Sequence, residues 1–194
     1  GGVPLPPTFT TGSTPGNLNA TGQLVKTPAG PYYMGLTNNG AFGNNPLRTV
    51  DLNVWTATTG VTAFHTQASS FHMAVGGPSG NTVLASTSGL VPTTGICRLV
   101  SPASAFACTT PVGWSGTNGS NAIAYVSGST WVAIESAVPA QVFRSTNDGV
   151  TWTPIAATLT GAVAGIGANN LVCPTSTICV ANVGNSLFRS TDAG

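Results

Sequence analysis

The segment Phe143-Arg144-Ser145-Thr146-Asn147-Asp148-Gly149-Val150-Thr151-Trp152 has a second copy, Phe188-Arg189-Ser190-Thr191-Asp192-Ala193-Gly194. A turn signature that recurs together with its flanking residues marks an array of like supersecondary units. The residue types explain the turn. Ser and Asx side chains accept hydrogen bonds from nearby backbone N–H groups, Gly takes a positive φ, and Trp packs beneath the hairpin. Weaker echoes lie at Thr56-Ala57-Thr58-Thr59-Gly60-Val61-Thr62 and Ser115-Gly116-Thr117-Asn118-Gly119. Gly60, Gly89, Gly119, Gly149 and Gly194 then fall 29, 30, 30 and 45 residues apart. A unit of four short strands fits comfortably into 45 residues and only tightly into 30.

Between the turns, short β-branched and aromatic runs alternate with Gly, Ser, Asn and Thr. Thr49–Trp55, Thr82–Ala85, Ile123–Val126 and Thr130–Ile134 are strand-length, and none keeps a helical period. Leu99–Phe106, Tyr125–Trp131 and Leu171–Ile178 each read as strand, tight turn, strand. The chain is therefore expected to be all-β. Six of its 14 prolines lie in the first 31 residues, which rules out a regular helix or a central strand there. Residues 1–45 are read as an extended docking arm and 46–194 as the repeat domain.

Ser145 to Trp152 resembles the Asp-box, or bacterial neuraminidase repeat, with Asn147 where the motif prefers Asp. Ser190 to Gly194 matches its first five positions. The resemblance implies Asp-box β-propeller-like repeats, arranged either as an incomplete ring or as an irregular sandwich, with an extended N-terminal arm. It gives Ser145, Asn147, Asp148, Gly149, Trp152, Ser190, Asp192 and Gly194 structural roles. In the family such boxes sit away from the active site, so they imply a fold and not an activity. The strand missing after the second box would come from a continuation of the chain, from the arm or from a neighbouring chain.

Function is narrowed by charge. Five Lys+Arg and four Asp+Glu make up 5% of 194 residues, with a net charge of +1. No basic stripe is available to neutralise phosphates, so nucleic acid is excluded as a partner. No run of apolar residues is long enough for a spanning helix, so membrane insertion is not expected. Glycoside hydrolysis needs paired carboxylates, or a Tyr nucleophile with an acid and an Arg cluster. With Asp148 and Asp192 in boxes, only Asp51 and Glu135 remain; with Arg144 and Arg189 beside boxes, only Arg48 and Arg98 remain. No Gly-x-Ser-x-Gly elbow supports a serine hydrolase. The expectation is a protein with no catalytic residues and no cofactor.

The cysteines fall into two local pairs. Setting Ile96–Val100 opposite Ala105–Thr109 places Cys97 across from Cys108, and Cys173 and Cys179 flank a second turn. Two disulfides imply an oxidising, extracellular setting. A four-Cys zinc site fits poorly, because neither spacing is Cys-x-x-Cys. If Phe64–Thr66 pairs with Phe71–Met73, then His65 and His72 stand opposite each other. Without a nearby carboxylate they read as surface or partner-contact residues and not as metal ligands. Trp131, Tyr125 and Trp152 read as core, whereas Tyr32, Tyr33 and Trp114 lie beside Gly/Asn/Pro loops and are candidates for stacking on a ligand.

The opening Pro7-Thr8-Phe9-Thr10-Thr11-Gly12 with Leu18-Asn19-Ala20-Thr21-Gly22 resembles the N-termini of some bacteriophage tail and fibre proteins. That resemblance implies a non-enzymatic virion component at the particle surface. It would dock by its arm onto other copies of itself or other virion proteins, and contact host surface glycans. The alternatives are a fragment of a secreted sialidase-like or lectin-like propeller, and a bacterial surface filament subunit joined by strand addition.

Overall fold

The computed structural model describes residues 23–28, 30–35, 46–52, 54–60, 72–86, 95–114, 122–135, 140–156, 159 and 168–193. The described residues form antiparallel meanders that follow one another along the chain. Blade 1 comprises Gln23–Lys26 (β1), Tyr32–Gly35 (β2), Leu47–Thr49 (β3) and Thr56–Ala57 (β4). Blade 2 comprises His72–Gly76 (β5), Thr82–Ser86 (β6), Ile96–Val100 (β7) and Ala107–Thr109 (β8). Blade 3 comprises Ala122–Ser127 (β9), Thr130–Glu135 (β10), Gln141–Ser145 (β11) and Thr153–Ile155 (β12). Blade 4 comprises Ala168–Val172 (β13), Cys179–Val183 (β14) and Ser186–Ser190 (β15).

The first strands of successive blades lie side by side, β1 against β5, β5 against β9 and β9 against β13. Propeller blades pack in this way around a common axis. The blades begin at 23, 72, 122 and 168, about 46 to 50 residues apart, which is the usual repeat of propeller units. The glycine spacing of 30 suggested in the sequence does not mark blades, and no sandwich forms among the described residues.

A blade has two faces and no interior of its own, so its core lies in the seams. Tyr33 and Val25 of blade 1 pack with Met73, Val83, Ala85, Cys97, Leu99 and Phe106 of blade 2. Leu84 and Ile96 of blade 2 meet Trp131, Phe143 and Trp152 of blade 3. Val132, Ile134 and Val142 of blade 3 meet Cys179, Ala181 and Val183 of blade 4. Strand alternation explains this sharing: Val132 and Trp131 are neighbours that point to opposite seams.

Three expectations change here. Residues 23–35 are not part of an arm; β1 and β2 pair with each other and β2 with β3, so the repeat domain starts before residue 46. The prolines allow this because Pro28 and Pro31 fall in the turn between the strands, whereas residues 1–22 lie outside the described set. Of the described residues in the run Thr49–Trp55 only Thr49 lies in a strand, as the end of β3, and residues 50–52 bend away from it. The Thr56–Thr62 echo is not a box, since Thr56–Ala57 is β4, and the Ser115–Gly119 echo lies outside the described residues.

Both cysteine pairs are bridged as their positions indicated, Cys97 to Cys108 and Cys173 to Cys179. Cys97 and Cys108 are direct cross-strand partners of β7 and β8. Two disulfides match an oxidising compartment. The first closes the longer loop, with a sequence separation of 11 against 6. Chain-entropy arguments then give it about 2–3 kcal/mol and the second less. Urea denaturation of Cys97→Ser/Cys108→Ser should show that loss, with a smaller one for Cys173→Ser/Cys179→Ser; equal or reversed losses would contradict the loop-length account.

Candidate functional site

The recurring turn is where the charged residues gather. In blade 3 the Ser145 hydroxyl donates to Asn147 Oδ1 at 3.0 Å and accepts the Gly149 N–H at 2.9 Å, while Asn147 Oδ1 accepts the Thr151 N–H at 2.9 Å. Trp152 Nε1 donates to the Gly149 carbonyl at 3.2 Å. Blade 4 repeats the opening, with the Ser190 hydroxyl donating to Asp192 Oδ1 at 2.6 Å. Gly194 lies outside the described residues.

A further box stands in blade 1, at Thr49-Val50-Asp51-Leu52. The Thr49 hydroxyl donates to Asp51 Oδ1 at 3.0 Å and accepts the Leu52 N–H at 3.1 Å, and Asp51 Oδ1 accepts the Val54 N–H at 3.1 Å. Leu52, Asp148 and Ala193 hold the same position in the three boxes, with φ of 65°, 60° and 64°. Thr in place of Ser and Asn53 in place of Gly hid this box in the sequence. Asp51, read as a leftover acid, is thus a turn residue.

Asp148 does more than shape its turn. Its carboxylate accepts hydrogen bonds from Thr82 Oγ1 at 2.6 Å, from Arg98 at 2.6 Å and from Trp131 Nε1 at 3.1 Å. Its carbonyl accepts Arg98 Nε at 2.6 Å. Thr82 and Arg98 belong to blade 2 and Trp131 to blade 3, so one side chain clamps two blades. The ion pair is mostly shielded, with 27% of the Arg98 and 16% of the Asp148 side chain exposed. Gly149 fits the same seam: its φ is +79°, and a Cβ there would come within 2.7 Å of Leu84 Cδ2.

The arginines follow the repeat too. Arg48, Arg144 and Arg189 immediately precede the box residues Thr49, Ser145 and Ser190, and Arg98 holds the matching register in β7. Four of the five cations therefore occupy one position of the third strand. Ala193 stands where the clamp has Asp148, and Arg144 where it has Arg98. Arg144 Nε is buried without a hydrogen-bond partner among the described residues, and a cavity of about 390 Å³ opens along that seam, lined by Val132, Ile134, Val142 and Phe188 among others.

The candidate contact residues divide. Tyr33 is fully buried, its hydroxyl donating to the Ala103 carbonyl at 2.9 Å across the seam between blades 1 and 2. Trp114 is 7% exposed and packs on Phe143 with ring centroids 5.1 Å apart. Both are core residues and not ligand platforms, because adjacent aromatics on a strand face opposite ways and the Pro111–Trp114 turn folds the indole inward. Tyr32 stays half-buried beneath Lys26, whose ammonium is 5.2 Å from the ring centroid. His65 lies outside the described residues. His72 pairs in register with Ser86, so its strand neighbour is β6.

His72 lines a cleft of about 360 Å³ at the inner strands, with residues from β5, β9 and β13. Its Nε2 is buried without a hydrogen-bond partner among the described residues, and burial pushes the imidazole pKa below its ordinary value. Among the described residues, no group of three or more His, Cys, Asp or Glu could hold a metal ion. Glu135, the remaining acid, is 1% exposed at the end of β10.

The clamp predicts coupled losses. Arg98→Ala and Asp148→Ala should each cost about 2–3 kcal/mol in chemical denaturation, since each strands a partly buried charge. The double variant should fall well short of the sum; additive losses would contradict a clamp. His72 predicts a pH effect whose sign follows from its lowered pKa. The unfolded chain takes up the proton first, so stability is present above about pH 6.5 and falls as the pH drops below it. Thermal unfolding between pH 7.5 and 5.5 should be less pH-dependent in His72→Gln, and an unchanged dependence would contradict the assignment.

No protein-family model and no curated protein matches the chain. The fold has structural relatives. A GH74 enzyme from Niastella koreensis matches at a TM-score of 0.62 and 18% identity over 88% of this chain. A protein of unknown function from Dyadobacter fermentans covers 92% of this chain and 68% of its own length, at 12% identity and a TM-score of 0.49. The chain spans only 29% of the length of the GH74 enzyme. At that identity the likeness extends to the fold alone, and the chain has the architecture of part of a β-propeller.

Proposed function

We propose that this chain is a non-catalytic, disulfide-braced extracellular propeller module that works by contact. The observation that carries this reading is the placement of its carboxylates. Asp51 and Asp192 accept hydrogen bonds inside box turns, Asp148 clamps two blades, and Glu135 is buried. A glycosidase needs two carboxyl groups facing one bond across a cleft. Side chains already committed to turns and seams are poor candidates for that work.

Within this class the proposed setting is a virion surface. There the module would contact other copies of itself, other virion proteins or a host surface glycan. Composition supports it: with 5% charged residues, the surface is left to Thr, Ser, Asn and Gly, which suits assembly by shape and hydrogen bonding. A second reading has its own support. The likeness to a GH74 enzyme favours a piece of a glycan-binding or glycan-cleaving propeller.

Incubation of the purified chain with chromogenic glycosides and soluble polysaccharides separates the two. The contact reading expects no release of product or reducing ends. Turnover that disappears in Glu135→Gln or Asp51→Asn would overturn it.

A further inference from the structure

β5, β9 and β13 are the terminal strands of their sheets, each paired on one side only. A strand so placed has unpaired N–H and C=O groups along its other edge. The three strands pack side by side, and the cleft of about 360 Å³ opens among them. Its size is at the small end of the range for ligand pockets, about 300–1,000 Å³.

Register places the side chains of this cleft at defined heights. His72 pairs with Ser86, Ala122 with Ile134 and Asn170 with Asn182, the same rung of three successive blades. On that rung His72 and Asn170 line the cleft. The Asn170 side chain is exposed, whereas the His72 Nε2 is buried and has no hydrogen-bond partner among the described residues. A buried polar atom without a hydrogen bond is costly, and one beside an open cleft marks where a partner binds. Among the described residues, no Lys, Arg, Asp or Glu lines the cleft. Its polar groups there are the His72 imidazole, the Asn170 carboxamide, the Tyr125 phenol, whose hydroxyl donates to the Gly128 carbonyl at 3.4 Å, and strand-edge amides and carbonyls.

We propose that this inner-strand cleft binds a small neutral polyhydroxylated ligand, a single sugar ring or the uncharged end of a glycan, with His72 and Asn170 as its polar contacts. The chemistry selects this class. A carboxamide and an imidazole can each donate and accept, as each sugar hydroxyl does. Among the described residues, an anion would find no cation in the cleft, and a metal ion would find one imidazole and no carboxylate. This site deepens the contact reading proposed above and rests on it, since the sugar is held and released unchanged.

The test uses the full 194-residue chain with glucose, galactose and N-acetylglucosamine as free probes, N-acetylneuraminic acid and inorganic phosphate as anionic controls, and an array of immobilised neutral glycans. Amide and imidazole resonances report binding. A neutral sugar should shift signals of residues 72–75, 123–125 and 170–173, and Asn170→Ala and His72→Gln should each weaken its affinity at least about fivefold. That fold-change corresponds to about 1 kcal/mol, the net worth of a hydrogen bond. Lys26→Ala, outside the cleft, should bind like the parent. Asn170 is exposed, so its variant remains informative if His72→Gln does not fold. Shifts with free sugars identify a single-ring site, and binding on the array alone identifies a glycan-end site. No shift in the cleft with any free neutral sugar together with no array binding, or an equal response to the anions, would overturn the site and leave the contact reading standing. A sugar that binds and is then chemically converted would overturn the contact reading itself.

Discussion

Asp148 joins two sheets that share no hydrogen-bonded strand. Its carboxylate meets Thr82, Arg98 and Trp131, so the turn that closes blade 3 also fastens blade 2. Everything else in the fold depends on such seams, because a blade of short strands has no interior until a neighbour covers its face. The seam between blades 1 and 2 solves the same problem with neutral groups, the Tyr33 hydroxyl on the Ala103 carbonyl and Thr27 against Ser101 at 3.1 Å. In the seam between blades 3 and 4 the clamp position holds Ala193, so a methyl group stands where Asp148 offers its carboxylate, while Arg144 keeps the place of Arg98.

The scarcity of charge takes on a physical meaning in this frame. A chain with nine formal charges has placed three of its four acids in box turns and four of its five cations at one repeated position of the third strand. The Arg98–Asp148 pair ties two blades together, and Asp51 and Asp192 are held inside their own turns. Among the described residues, the groups lining the inner-strand cleft are neutral: strand-edge amides, a carboxamide, a phenol and a desolvated imidazole. Such surfaces recognise shape and hydrogen-bond pattern, which suits assembly partners and uncharged glycans alike.

The parts of this architecture that were legible in the sequence are local ones. The Ser145–Trp152 turn, the strand-turn-strand units and the cross-strand placement of Cys97 and Cys108 each rest on residues a few positions apart, and all appear as read. The repeat length was misread because glycines occur in several kinds of turn, so Gly89 and Gly119 set a false period. The Thr49 box was missed because Thr can replace Ser as acceptor and Asn can replace Gly at a position the motif reserves for it. The long-range roles were not legible at all. Asp148 lies 66 residues from Thr82 and 50 from Arg98, and nothing in the sequence says that these groups meet. Tyr33 and Trp114 sat beside Gly/Asn/Pro loops and looked exposed, but the next blade covers them. The sequence singled out His72, but the inner-strand cleft that it lines was not legible there.

Native-state hydrogen exchange tests most directly whether the charged seam makes the blades one cooperative body. Amides of β6 and β7 in blade 2 and of β10 and β11 in blade 3 should open with a single shared free energy, because neither sheet keeps its buried face once the other leaves. In Asp148→Ala the two sets should separate, with one blade opening at lower cost than the other. Distinct opening energies for the two blades in the unaltered protein would contradict the account.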